Sequence, residues 1–151
     1  MTSSSFDPLT PIAIEDRYSL SHLFNVQNVS FDPSAKGLDA IFSDVIDMKA
    51  SDLHIWFRNG DPQRQGHYRF CSAGKFVEYT DISVNHCQSI TYELYRLIGN
   101  QEGISATEAR VSDWGKSVDH QLLDGRKVRL MIGVCLTYPR GFDLLCRVLV
   151  K

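Results

Sequence analysis

Lys49-Ala50-Ser51-Asp52-Leu53-His54-Ile55-Trp56 is where one hydrophobic period gives way to another. Upstream, Leu38, Ile41, Phe42, Val45 and Ile46 recur at the spacing of an apolar helical stripe. Lys36, Asp39, Ser43, Asp44 and Asp47 cover the other faces, and Ser34 stands where an N-cap belongs. From Asp52 the period is two. Leu53, Ile55 and Phe57 take one face of a strand, and Asp52, His54 and Trp56 the other. Asp52 and His54 on one face have two readings, an acid–base pair or the joint between a helix and a strand. Catalysis needs a nucleophile and an oxyanion site beside the pair, and no G-x-S-x-G or similar element accompanies it. In the joint reading Ser51 or Asp52 hydrogen-bonds free backbone groups at the helix end. His54 then packs between sheet and helix, or faces the joint to a following domain.

The pattern downstream is strand-rich. "RNGDPQRQG" is a loop by composition, and "HYRFC" and "KFVEY" are short strands turning around Ser72-Ala73-Gly74. Ser83 can cap a second helix from Val84 to Ile98, with Cys87, Ile90, Leu94, Leu97 and Ile98 as its apolar positions and Gly99-Asn100 ending it. "SATE", Ser105 to Glu108, has the form of a capping box. "SVDHQLL" and "KVRLMIGVCL" flank Asp124-Gly125-Arg126, a hairpin signal, and "FDLLCRVLV" reads as the last strand. Before all this, residues 1–33 carry Pro8, Pro11 and Pro33 and a crowd of serines, and read as an extended arm. The expected fold is α+β: a two-layer sandwich of a mostly antiparallel sheet of about six strands and two main helices over residues 34–151, PAS-like in layout.

Bulk composition narrows the function classes. The 151 residues suffice for one domain with a real core, and 43% apolar with 23% charged residues is the balance of a globular chain. No apolar run is long enough to cross a bilayer, and the N-terminus lacks a basic segment followed by an apolar one. A net charge of -2 gives no reason to expect nucleic acid. Cys71, Cys87, Cys135 and Cys146 form no CxxC pair and have no histidine at zinc-finger spacing, so no metal is expected. Cys135 and Cys146, in apolar runs, read as buried. Scattered cysteines without a signal peptide suit a reducing, cytoplasmic compartment.

A helix ending in "KASDLHI", then strands, a second helix and "DGRKVRLMIGV…RGFDLLCRVL" resembles the N-terminal domain of the secretion ATPase superfamily. That superfamily drives type II secretion, type IV pilus movement, and type IV secretion or conjugation. The resemblance covers residues 36–150. Lys49, Ala50, Ser51, Asp52 and His54 match the family's residues at the first helix-to-strand joint, and Arg129 and Arg147 match its closing strands. The loop between those two arginines is slightly longer than in many pilus ATPases and in this resembles the Dot/Icm-type and conjugative thin-pilus branch more. The resemblance implies a hexameric motor whose ATP and magnesium are held by a following RecA-like domain with a G-x-x-x-x-G-K-[ST] loop. This chain has no such loop: before "GKS" at Gly115–Ser117, Arg110 stands where the loop's first glycine belongs. The chain alone is therefore expected not to hydrolyse ATP.

The partners implied are the RecA-like domains of the same protein and of neighbouring subunits, and secretion components at the bacterial inner membrane. The location implied is cytoplasmic and peripheral to that membrane. In the family's hairpin "R-x-R-x-D-G", Arg69 and Gly74 are kept here, while Cys71 and Ala73 replace the second arginine and the aspartate. Arg69 is thus the first candidate to reach the nucleotide phosphates and Arg129 the second. Asp52, His54, Trp56 and Arg147 are candidates for the domain joint or interface. Plainer readings stand beside these: Arg69 and Arg129 as surface ion pairs, Arg147 as an ion pair close to the core, Trp56 and Trp114 as core rims. Two rival functions also remain, a stand-alone PAS-like ligand sensor, which needs an internal apolar pocket, and a scaffold that recruits a secretion partner without touching nucleotide.

Overall fold

Alternation along six segments builds one sheet: β1 (Asp52–Arg58), β2 (Gly66–Ser72), β3 (Lys75–Ile82), β4 (Lys116–Gln121), β5 (Lys127–Thr137) and β6 (Gly141–Val150). The computed structural model describes residues 18–24, 36–58, 66–72, 74–111, 115–137 and 141–151. The strand order is β3-β2-β1-β6-β5-β4, and every neighbouring pair is antiparallel. Two three-stranded meanders thus meet at their first and last strands, so β1 and β6 lie at the centre. Among the described residues three helices accompany the sheet: α1 (Leu20–Leu23), α2 (Leu38–Asp47) and α3 (Val84–Glu102). Leu53, Ile55, Phe57, Phe142, Leu144, Cys146, Val148, Leu130 and Ile132 point from the sheet into one core with Leu38, Ile41, Phe42, Val45, Ile90, Leu94 and Ile98 of α2 and α3. This is the expected two-layer α+β sandwich. Among the described residues no helix is long and apolar enough to cross a membrane.

Where local signals misled, tertiary contacts supplied the reason. Helix α2 starts after Gly37, which provides no side-chain cap; Glu93 of α3 instead accepts the Leu38 amide at 3.0 Å. Ser34 lies outside the described residues. The C-terminus of α2 is closed by its own backbone, not by Ser51 or Asp52 as expected. Met48 N–H donates to Asp44 O and Ala50 N–H to Val45 O, with Lys49 in a left-handed conformation at φ 59°. Ser51 Oγ donates instead to Cys71 O at 3.4 Å. Helix α3 does not stop at Gly99-Asn100. It runs to Glu102, and Gly103, at φ 76°, is the left-handed cap.

The arm reading is also corrected where it can be seen. Residues Leu20–Leu23 form a helical turn, and Leu20, Leu23 and Phe24 are buried in the common core rather than extended. Tyr18 bridges Val111, and Tyr95 Oη donates to Tyr18 O at 3.0 Å, which ties this segment to α3. Cys146 is buried as expected, but Cys135 is exposed, because it alternates out of step with inward-facing Val134.

The polar face of α2 is stitched to the β4–β5 hairpin. Asp39 accepts from the Leu123 amide at 3.1 Å and pairs with His120 Nε2 at 2.7 Å. Ser43 Oγ donates to Asp124 at 3.2 Å, and Arg126 reaches Asp47 at 2.9 Å. These three α2 residues are four apart, so they form one row along the helix. Hydrogen bonds from Arg126 pull the Asp124 carboxyl down to about 2.

Candidate functional site

Alternation sends one set of side chains to the helices and the other to the opposite side of the sheet. All the candidate residues that are described lie on this second face, which no helix among the described residues covers. In register, Arg69, His54, Leu145 and Gly133 form one row across β2, β1, β6 and β5. The adjoining row is Phe76, Cys71, Asp52, Arg147, Met131 and Ser117. Trp56 is half-buried and lies opposite Asp143 of β6; Trp114 falls outside the described residues.

His54 therefore does not pack between sheet and helix, because its strand phase turns it the other way. Burial and, after it, the Arg69 guanidinium hold its imidazole below the usual value, against opposing pulls from Asp52 and Asp143. Asp52 is committed to Arg147, whose Nε and Nη2 donate to its two oxygens at 2.8 and 3.3 Å. The pair is lopsided: the Asp52 side chain is 15% exposed and that of Arg147 53%, so Arg147 stands on the open face and not close to the core. Among the described residues, nothing next to Asp52 and His54 completes a nucleophilic site. Cys71, the nearest thiol in register, is pushed up by burial.

The two phosphate candidates differ in their bonding. Arg129 donates to Asp119 at 3.0 Å, and Lys151 shares that carboxylate at 3.3 Å. These partners, Arg129 first, hold the Asp119 carboxyl down. Arg69 has its guanidinium carbon 4.4 Å from the centre of the Phe76 ring, and its Nε is buried without a hydrogen-bond partner. A desolvated donor left unpaired is costly, and a planar, stacked guanidinium keeps its fork rigid. Of the two, Arg69 has a buried donor without a partner, while Arg129 is exposed and ion-paired through its Nε.

Sequence reading missed the apolar part of this face. Met131 and Leu145 adjoin Gly133 there, and Leu149 lies further along β6, opposite Arg129. The signal was present, since in "FDLLCRVLV" strict alternation puts Leu145 and Leu149 out of phase with the core. The helical side has a groove of about 740 Å³ between α2, α3 and β4. It lies open at the surface, and its carboxylates are already bonded, Glu93 to Leu38 N–H and Asp39 to His120. The enclosed apolar pocket that a ligand sensor requires is not what this groove offers.

The His54 environment has a measurable consequence. A folded-state value below the unfolded one, near 6.5, means that the unfolded chain binds more protons as pH falls. The stability concerned is therefore full above about pH 6.5 and is lost as pH drops through the lowered value. Melting temperature should fall from pH 7 to pH 5 more steeply for the parent than for His54→Gln; the other histidines cancel in the difference. Equal slopes would refute the environment described for His54. No protein-family model matches the chain, and no curated protein matches it.

Proposed function

We propose that the chain is the N-terminal domain of a hexameric motor ATPase of secretion, pilus or conjugation systems. It packs by its open sheet face on a RecA-like catalytic domain and contributes Arg69 to ATP-dependent closure. The observation that carries this reading is the buried, unpartnered Nε of Arg69 on the face that no helix among the described residues covers. Phosphate is the ligand that a rigid guanidinium fork matches best, through paired charge-assisted hydrogen bonds. Arg129 recedes from this role because Asp119 already occupies it. The match of Lys49, Ala50, Ser51, Asp52 and His54 to the family's joint supports the same reading. ATP and magnesium belong to the catalytic domain of the same protein and of its neighbours. Closure over ATP converts binding energy into rigid-body rotation of this domain, which is passed to partners at the inner membrane from the cytoplasmic side.

The test begins with the reading frame downstream of Lys151, which should encode a RecA-like domain with a G-x-x-x-x-G-K-[ST] loop. In that longer protein Arg69→Ala should reduce ATP hydrolysis by about 10²–10³-fold, the usual loss for one charge-stabilising donor. Arg129→Ala should stay within about twofold, its ion pair being exposed and of little energetic weight. A downstream sequence without such a domain, or an Arg69→Ala protein of full activity, would sink the proposal.

A further inference from the structure

We propose that the outer edge of β3 is a docking site for an extended strand of a partner protein, one that carries a basic residue and, further along, a large apolar residue. The sheet has two edges, β3 and β4. An edge strand turns every second N–H and C=O outward, and these groups are templates for another chain. At β4 the fold itself supplies the partner. The side-chain amide of Gln101 in α3 donates to Ser117 O at 2.8 Å and accepts from the Asp119 N–H at 3.0 Å. One side chain thus engages an outward donor and acceptor of β4 as a neighbouring strand would.

Among the described residues nothing comparable covers β3. Its eight residues pair only with β2. No described side chain or loop bonds the main chain of Phe76, Val77 or Asp81 from outside. Proline and lysine are the usual guards of an edge; β3 has no proline, and its one lysine, Lys75, stands at its start. The bulge guards only that end. The ladder shifts between Phe70 and Cys71, where Val77 is the extra residue, but from Glu78 to Ile82 the pairing with β2 is uninterrupted. A regular stretch is therefore left for one more strand. Beside it stand Phe76, 60% exposed, and Val77, 42% exposed. In strand addition the main-chain bonds give affinity and contacts with alternate side chains give specificity, and these two apolar residues offer the contact.

Charge selects among strands. Asp81 is exposed and has no ion-pair partner among the described residues. An antiparallel neighbour with Lys or Arg opposite Asp81 gains a cross-strand ion pair. The same neighbour reaches Val77 about four residues later, with its side chain on the same face. A second copy fits less well. Lys75 is the only cation of β3, and the register that sets it opposite Asp81 of the copy also sets Glu78 opposite Glu78. Like charges directly opposite destabilise a strand pair. The inference rests on the edge of the sheet and holds whether or not Arg69 meets a phosphate.

The test uses the 151-residue chain itself. A library of random dodecapeptides is panned on it and counter-selected on Val77→Lys, which puts a charge at the exposed bulge and is checked for an unchanged melting temperature. Enriched peptides should carry Lys or Arg about four residues before a large apolar one. Their affinity should fall at least about tenfold on Val77→Lys, and Asp81→Lys should remove the preference for the basic residue. N-methylation of the peptide, one residue at a time, should abolish binding at alternate positions only, the sign of a strand ladder; this readout depends on no variant. In amide exchange the bound peptide should slow β3 and leave β4 as it was. No enrichment over Val77→Lys, N-methyl effects without alternation, or no added protection in β3 would overturn the proposal. So would a concentration-dependent dimer in light scattering that Val77→Lys abolishes, since the occupant would then be a second copy.

Discussion

Phe142→Ala should lower the stability of the chain by about 3–5 kcal/mol, the range for emptying an aromatic site in a closed core. Phe142 is fully buried, and its ring lies 5.6 Å from that of Phe57 and 6.5 Å from that of Phe24, centre to centre. It therefore joins β6 to β1 on one side and to the α1 segment on the other. Removing it opens a cavity at a junction of three elements, of which β1 and β6 cannot collapse inward without breaking ladder pairs. Domains of this kind are held by only about 5–15 kcal/mol, so the loss is a large share of the total. Urea denaturation would measure it, with Leu149→Ala as a half-exposed control expected within about 0.5 kcal/mol of the parent. If Phe142→Ala cost less than about 1 kcal/mol, the core described between sheet and α1 would be wrong.

The second large effect decides between two arguments of opposite sign. By helix propensity, Gly99→Ala within α3 should stabilise the protein by about 1 kcal/mol. By packing it should destabilise, because a Cβ there would lie 2.6 Å from Ile104 O and 2.9 Å from Ser105 O. Both are backbone atoms, and Ile104 is held in place by its own amide bond to Gly99 O at 2.9 Å. The contact cannot be relieved by a side-chain rotation, so overpacking wins and a net loss of about 1–3 kcal/mol is expected. Asn100→Ala, next along the helix and exposed, should be neutral or slightly stabilising. A thermal melt of the two variants settles the sign, and a more stable Gly99→Ala protein would refute the close approach.

Gly99 also illustrates what a single sequence hides. A glycine late in an amphipathic helix reads as its end, because glycine is the usual left-handed cap. Here Gly103 has that role and Gly99 serves close packing, a distinction that depends on what lies across from the backbone. Ser51 and Asp52 repeat the lesson. Their types suit a helix end, but Asp52 is drawn away by Arg147, a residue far along the chain that only strand pairing brings opposite it. Arg69 and Arg129 are equivalent as letters in strands; one is neutralised by Asp119 across the β4–β5 pair and the other is not.

The sequence by itself determined the elements and their inward faces, because hydrophobic period is a local property that survives without knowledge of neighbours. Six strands, two long helices and the two-layer α+β arrangement follow from it. Only the tertiary structure decided which polar groups are spent and which are left over. Hydrogen bonds and ion pairs form between residues distant in the chain, so the unpartnered Nε of Arg69 and the ion-paired Nε of Arg129 emerge only when the strands are set side by side.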